Sequence, residues 1–249
     1  MIHSFLLIGQ SNMAGRGFLP EAIDVDKSNI KILRNGRWQP MYRPVNPDRI
    51  TSGVNLAESF AEAYAKKYNV EVGIIPCADG GTQIDQWVPG GLLYDHAVFQ
   101  SKLAQRTSTI AGILWHQGES DCFEERIALY EKKLRHVIAA FRRDLGLEDV
   151  PFVMGELGDF LADHEAEFLH NYPAINALMH MVADDKARIG VASAKGLGSN
   201  PDKLHFSAEA LHEFGLRYFE VFDRLRDENK VFSEKPSEDD LLRTELEQL

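Results

Sequence analysis

Four short polar clusters hold the residues best suited to chemistry. Gly9-Gln10-Ser11-Asn12-Met13-Ala14-Gly15 places a serine directly after an apolar run. A serine at a strand end that opens a helix exposes its hydroxyl and keeps its own N–H free, which suits a nucleophile whose backbone helps to stabilise an oxyanion. The same position also suits a helix N-cap. Asp202-Lys203-Leu204-His205-Phe206 sets an acid three residues before a histidine. That acid can accept the imidazole Nδ1 proton and leave Nε2 free to take a proton from serine. Asp-x-x-His by itself equally describes a turn cap followed by an exposed histidine.

The other two clusters supply donors. Gly80, Gly81 and Thr82 follow an apolar run ending at Cys77, and paired glycines let a backbone N–H approach a substrate oxygen or simply make a tight turn. His116-Gln117-Gly118-Glu119-Ser120-Asp121 follows another apolar run. From it Gln117 can aim its side-chain amide at an oxyanion, and Glu119 can orient a partner such as His205; the alternative is a solvated loop capping a helix. Trp87 offers an apolar face for a sugar ring or a core side chain. With Gln10, Asn12, Thr82 and His116 it completes the candidate substrate contacts.

These clusters need a scaffold that brings them together. Apolar runs at 3–8, 70–76, 109–115, 151–155 and 188–193 read as buried strands, and helical periodicity marks 55–68, 124–143, 165–183 and 207–226. Asn55 is the expected N-cap of the first of these helices. The 124–143 helix carries acids early and bases late, as its dipole favours. Pro173 falls in the first turn of the 165–183 helix or breaks it. Alternating strands and helices imply a parallel α/β sheet, in which loops leaving the strand carboxyl ends converge on one edge. All four clusters lie in such loops.

Size and composition support one domain over residues 1–230, followed by a polar, acidic tail at 231–249 that is either a short exposed helix or unstructured. The formal net charge of −11 argues against nucleic acid or an anionic membrane as partner. A basic mouth would require Arg16, Arg34, Arg37 or Arg43 to face the site. Cys77 and Cys122 fit neither a disulfide framework nor a zinc site. His116, Glu119, Asp121 and His205 lack metal-ligand spacing, so no metal or organic cofactor is expected. No secretory leader or membrane span is read, which gives a cytoplasmic expectation. Nothing indicates an oligomeric state.

Taken together and in order, GQSNMAG, GGTQIDQW, WHQGESD and DKLHF resemble the SGNH-hydrolase superfamily, in particular its sialate O-acetylesterase-like branch and carbohydrate esterase family six. The likeness spans residues 5–206. It implies a three-layer α/β/α sandwich with a mainly parallel, flavodoxin-like sheet. It further implies Ser11 as nucleophile, His205 as base, Asp202 as the triad acid with Glu119 as alternative or support, and Ser11, Gly80 or Gly81, and Gln117 around the oxyanion. Thr51-Ser52-Gly53-Val54-Asn55 stands where the family usually has a Gly-Pro turn, and the extra domains of long sialate esterases are not expected.

The expected activity is removal of acyl groups, acetyl foremost, from a carbohydrate through an acyl-enzyme. A lipase- or thioesterase-like hydrolase, wanting a wide apolar channel, is the nearer rival. A non-catalytic carbohydrate-binding relative is the more distant one.

Overall fold

The computed structural model describes residues 1–227, 232 and 234–247. Seven strands form one sheet in the order β3-β2-β4-β1-β5-β6-β7. They are β1 (Ile2–Gly9), β2 (Ile30–Arg34), β3 (Arg37–Pro40), β4 (Glu71–Pro76), β5 (Ser108–His116), β6 (Phe152–Gly155) and β7 (Ile189–Ala192). All neighbours pair in parallel except β2 with β3. Without the β2–β3 hairpin the order is second, first, third, fourth, fifth, which is the flavodoxin-like arrangement. The chain reverses direction across the sheet between β1 and β5, and a crevice forms at such a point.

Helices α2 (Ala57–Tyr68) and α6 (Ala208–Leu225) pack on each other. Helix α4 (Glu124–Leu145) lies between α3 (Leu92–Ala104) and α5 (Tyr172–Val182). Phe5 of β1 meets Phe60, Tyr64 and Phe222 edge-on beneath α2 and α6. Trp87 and Trp115 meet edge-on, and Trp115 packs near Phe152. Strands buried on both faces explain why their sequences are continuous apolar runs rather than alternating ones.

The expected strands and the 124–143 and 207–226 helices agree with the structure to within two residues. Asn55 accepts from the Ala57 N–H at 2.8 Å, so it caps α2 from one residue further out than expected. The 165–183 helix is shorter than its periodicity suggests. Residues Glu167–Asn171 form a 3-10 turn, and α5 begins at Tyr172 with Pro173 in its first turn, where the missing N–H costs nothing.

The hairpin and α3 were not expected. Asn35 and Gly36 both have positive φ, which is the type I′ turn that Asn-Gly favours. The tail contains an exposed helix, α7 (Glu238–Glu247); the expected boundary at 230/231 lies outside the described residues. Among the described residues no helix is long and apolar enough to cross a membrane.

Candidate active site

Strand β1 delivers the serine. Gly9 has φ +132° and lies so close to β5 that an added Cβ would stand 2.1 Å from the His116 carbonyl oxygen. The Gln10 N–H donates to that same carbonyl at 2.8 Å. The chain then enters the one-turn helix α1 (Ser11–Ala14), with Ser11 as its first residue. Ser11 is 7% exposed, and its backbone N–H has no partner among the described residues.

The loop between β7 and α6 brings the histidine. His205 Nε2 lies 3.0 Å from Ser11 Oγ, and His205 Nδ1 lies 2.7 Å from Asp202 Oδ2. The other Asp202 oxygen accepts the N–H groups of Leu204 and His205, both at 3.0 Å. Burial acts to raise the Asp202 carboxyl. The hydrogen bonds from the His205 backbone and ring and from Leu204 outweigh it and hold the group below the usual carboxylate range. Serine, imidazole and carboxylate are therefore in line, with Nε2 placed to accept the serine proton.

Glu119 does not join this line. Its Oε1 accepts from Asn12 Nδ2 at 2.5 Å and lies 3.3 Å from His116 Nε2, and its Oε2 is buried without a partner among the described residues. Burial pushes its carboxyl up, while the His116 charge and the hydrogen bonds from His116 and Asn12 more than offset that and hold it low.

The donors are arranged differently from the sequence expectation. The Gly80 N–H is taken by Asp48 Oδ2 at 2.8 Å. Gly81, at φ +77° with nothing within 4 Å of where a Cβ would sit, keeps its N–H without a partner among the described residues. Gln117 is fully buried and does not line the cleft. Its amide donates to Asp121 Oδ2 at 2.5 Å and to the Thr82 carbonyl at 3.1 Å, so it is not aimed at an oxyanion.

Gln10 lies next to the nucleophile instead. Its Oε1 accepts the N–H groups of Gly118 at 3.2 Å and Ser120 at 3.3 Å. That fixes the amide and leaves Nε2 without a protein partner among the described residues.

Of the other expected substrate contacts, Trp87 is fully buried on Trp115 and donates to Thr82 Oγ1 at 3.2 Å. It is a core residue, because the 3-10 turn Ile84–Trp87 directs it inward. Thr82 holds its own turn by donating to the Asp79 carbonyl at 2.8 Å. His116 is fully buried between Phe206 and Phe214, and Asn12 is 1% exposed. Only Gln10 of that set lines the cleft.

The cleft encloses about 380 Å³. Arg16 and Arg49 line it together with His164, Phe168, Leu169 and Leu204. Arg16 is buried in a two-pronged pair with Asp48, whose contacts are 3.0 and 2.7 Å. Burial acts to raise the Asp48 carboxyl, but Arg16, Ser52 and Gly80 together hold it below its usual range. Phe168 stacks face to face on Phe123 at 4.1 Å.

Arg34 and Arg43 face elsewhere, toward the Pro44 carbonyl and Glu58 respectively. Arg49, His164 and Phe168 were not expected. They come from loops outside the polar clusters, and no local spacing marks them.

The family profile described as carbohydrate esterase, sialic acid-specific acetylesterase, matches residues 1–224. A probable carbohydrate esterase of Arabidopsis thaliana is 28% identical over 243 residues, covering 88% of this chain and 89% of the relative. An X-ray structure of a protein from Arabidopsis thaliana superposes with a TM-score of 0.78 at 26% identity, covering 88% of this chain and 97% of that one. The structure of NanS does so at 0.70 and 20% identity, covering 90% and 97%, and at that identity it speaks for the fold alone. With the profile spanning the whole sheet and every cleft-forming loop, the chain belongs to the carbohydrate esterase family of sialic acid-specific acetylesterases.

Proposed function

We propose that this protein is a serine esterase that removes O-acetyl groups from a carbohydrate through an acyl-enzyme. Membership of the family makes it a carboxylic ester hydrolase; the mechanism and the substrate are our reading. The observation that carries it is the single ring of His205, with Nε2 at 3.0 Å from Ser11 Oγ and Nδ1 at 2.7 Å from Asp202. Ser11 Oγ attacks the ester carbonyl while His205 Nε2 takes its proton, and Asp202 holds the tautomer and stabilises the imidazolium.

The Ser11 and Gly81 N–H groups and the Gln10 amide are the free donors beside the developing oxyanion. Gln10 takes the place first assigned to Gln117. Collapse of the tetrahedral intermediate releases the sugar hydroxyl with the proton from His205. Water, deprotonated by the same histidine, then frees acetate.

Acetyl is the acyl group that small residues around Ser11 and Gly81 accommodate. The apolar wall of Phe168, Leu169 and Leu204 favours a second reading, in which a longer chain lies along it, since each further buried methylene would gain about 0.8 kcal/mol. A series of p-nitrophenyl esters and acetylated sugars separates the two. The expected result is kcat/KM falling from acetyl through butyryl to octanoyl, with acetate released from sugars. A preference for octanoyl with no sugar cleaved gives the site to the longer-chain reading. Ser11→Ala should abolish turnover and labelling by a serine-directed phosphonate; retention of more than about a hundredth of kcat removes covalent catalysis.

A further inference from the structure

We infer that Asn12 and Glu119 form a clamp that positions His205 against the nucleophile, a role that rests on the serine-esterase reading above. Asp202 alone cannot do this. It belongs to the same loop as His205 and among the described residues its side chain bonds only to Leu204 and His205, so it orients the ring within the loop without fixing the loop to the sheet.

Asn12 supplies the missing tie. Its Nδ2 donates to the Leu204 carbonyl and its Oδ1 accepts the Phe206 N–H, both at 3.1 Å. One carboxamide thus grips the residues on either side of the histidine. Asn12 follows Ser11 directly, so the base is held relative to the nucleophile's own backbone. A separate bond, Asn200 Nδ2 to the Arg16 carbonyl at 2.9 Å, anchors the start of the loop.

Glu119 fixes the clamp in turn. It follows β5, and its Oε1 takes the Asn12 Nδ2 hydrogen at 2.5 Å while also facing His116 Nε2 at 3.3 Å. The carboxamide can satisfy this acceptor and the Leu204 carbonyl only with its nitrogen on that side, which leaves its oxygen for Phe206. Glu119 also keeps one buried carboxylate oxygen without a partner among the described residues. A half-satisfied buried carboxylate costs stability, and this clamp is what it holds in place.

Steady-state kinetics on an acetyl ester with the full chain test the inference. Asn12→Ala and Glu119→Ala should each lower kcat about a hundredfold, the usual scale for a small misplacement of a reacting group. KM should stay within about twofold. Glu119→Gln keeps an oxygen that accepts from Asn12 and should recover most of the loss. The double variant Asn12→Ala/Glu119→Ala should be no worse than the more damaged single, because both act through one contact. Full kcat in either alanine variant, a loss confined to KM, Glu119→Gln as damaging as Glu119→Ala, or losses that multiply in the double would overturn the clamp.

If Asn12→Ala does not fold, the Glu119→Ala and Glu119→Gln pair decides. Ser11→Ala run alongside keeps the two ideas apart. Turnover in that variant sinks the esterase reading, whereas an inert Ser11→Ala beside a fully active Asn12→Ala sinks the clamp alone.

Discussion

Two histidines near the cleft each sit three residues from a carboxylate, and the two pairs behave as opposites. His205 faces Asp202 at 2.7 Å, with the histidine side chain 19% and the aspartate 48% exposed. His116 faces Glu119 at 3.3 Å with essentially no exposure of either. The first pair stands in an open loop and keeps Nε2 directed at Ser11. The second is enclosed by Phe206, Phe214 and Tyr218, so both its ring nitrogens meet only protein. Residue type and spacing are alike, and what the second ring nitrogen meets decides whether the pair can do chemistry or only support it.

The sharpest way to break this contrast is to neutralise each acid. Asp202→Asn should lower kcat about a thousandfold, because the histidine loses the partner that holds its tautomer and stabilises its charge. Glu119→Gln should cost far less in steady-state assays of the same ester. The reverse order would make Glu119 the functional acid and erase the distinction.

Stability should respond the other way round. His116→Leu leaves the Glu119 carboxylate buried with Asn12 as its remaining side-chain partner, and breaking such a pair costs about 3 kcal/mol. Urea unfolding should show a lower midpoint for His116→Leu, while His205→Ala, whose ring is partly open to solvent, should move it little. Equal shifts for the two variants would mean that the pairs differ less than their surroundings suggest.

The smallest effect concerns acid. Both carboxylates are held below their usual range in the folded protein, Glu119 by His116 and Asn12 against complete burial, Asp202 by His205 and Leu204 against partial burial. A group depressed in this way stabilises the fold above its unfolded pKa, about 4 for these side chains, and loses that contribution as pH falls through its folded value. Unfolding free energy measured from pH 6 downward should therefore lose its acid slope more in Glu119→Gln than in Asp202→Asn, since solvent screens the exposed pair. An unchanged slope in Glu119→Gln would show that the buried carboxylate does not titrate with folding.

The parts of this molecule that could be read from its sequence are those where chemistry and position coincide. Ser11 directly follows an apolar strand and Asp202 and His205 lie in a polar loop just before a helix, and the structure brings all three together. Gln117 and Trp87 lie in equally conspicuous motifs yet face inward, because a local sequence does not say which way a turn aims its side chain. Helix α3 escaped because its apolar residues are divided between exposed Leu92 and Phe99 and buried Tyr94 and Ala97, which blurs the helical period. The β2–β3 hairpin could have been found. Asn35-Gly36 between Ile-Lys-Ile-Leu-Arg and Arg-Trp-Gln-Pro is a hairpin signal, masked by the charges that interleave the strands. Phe168 and Arg49 had no such mark, since only the fold brings their loops to the cleft.

That hairpin also decides where the sheet stops. Strand β3 is the outer strand on the side opposite β7, and a bare outer strand is a template on which a second chain can add hydrogen bonds. Its outward-facing donors alternate with those that face β2, so they fall at positions 38 and 40. The Trp38 N–H is already engaged by the Glu238 carboxylate at the start of α7, at 2.8 Å, and position 40 is a proline with no N–H to offer. The short acidic tail thus leaves an incoming strand no free amide in β3 to accept from, and a chain cut back before Glu238 would regain one place for intermolecular pairing and a first step toward aggregation.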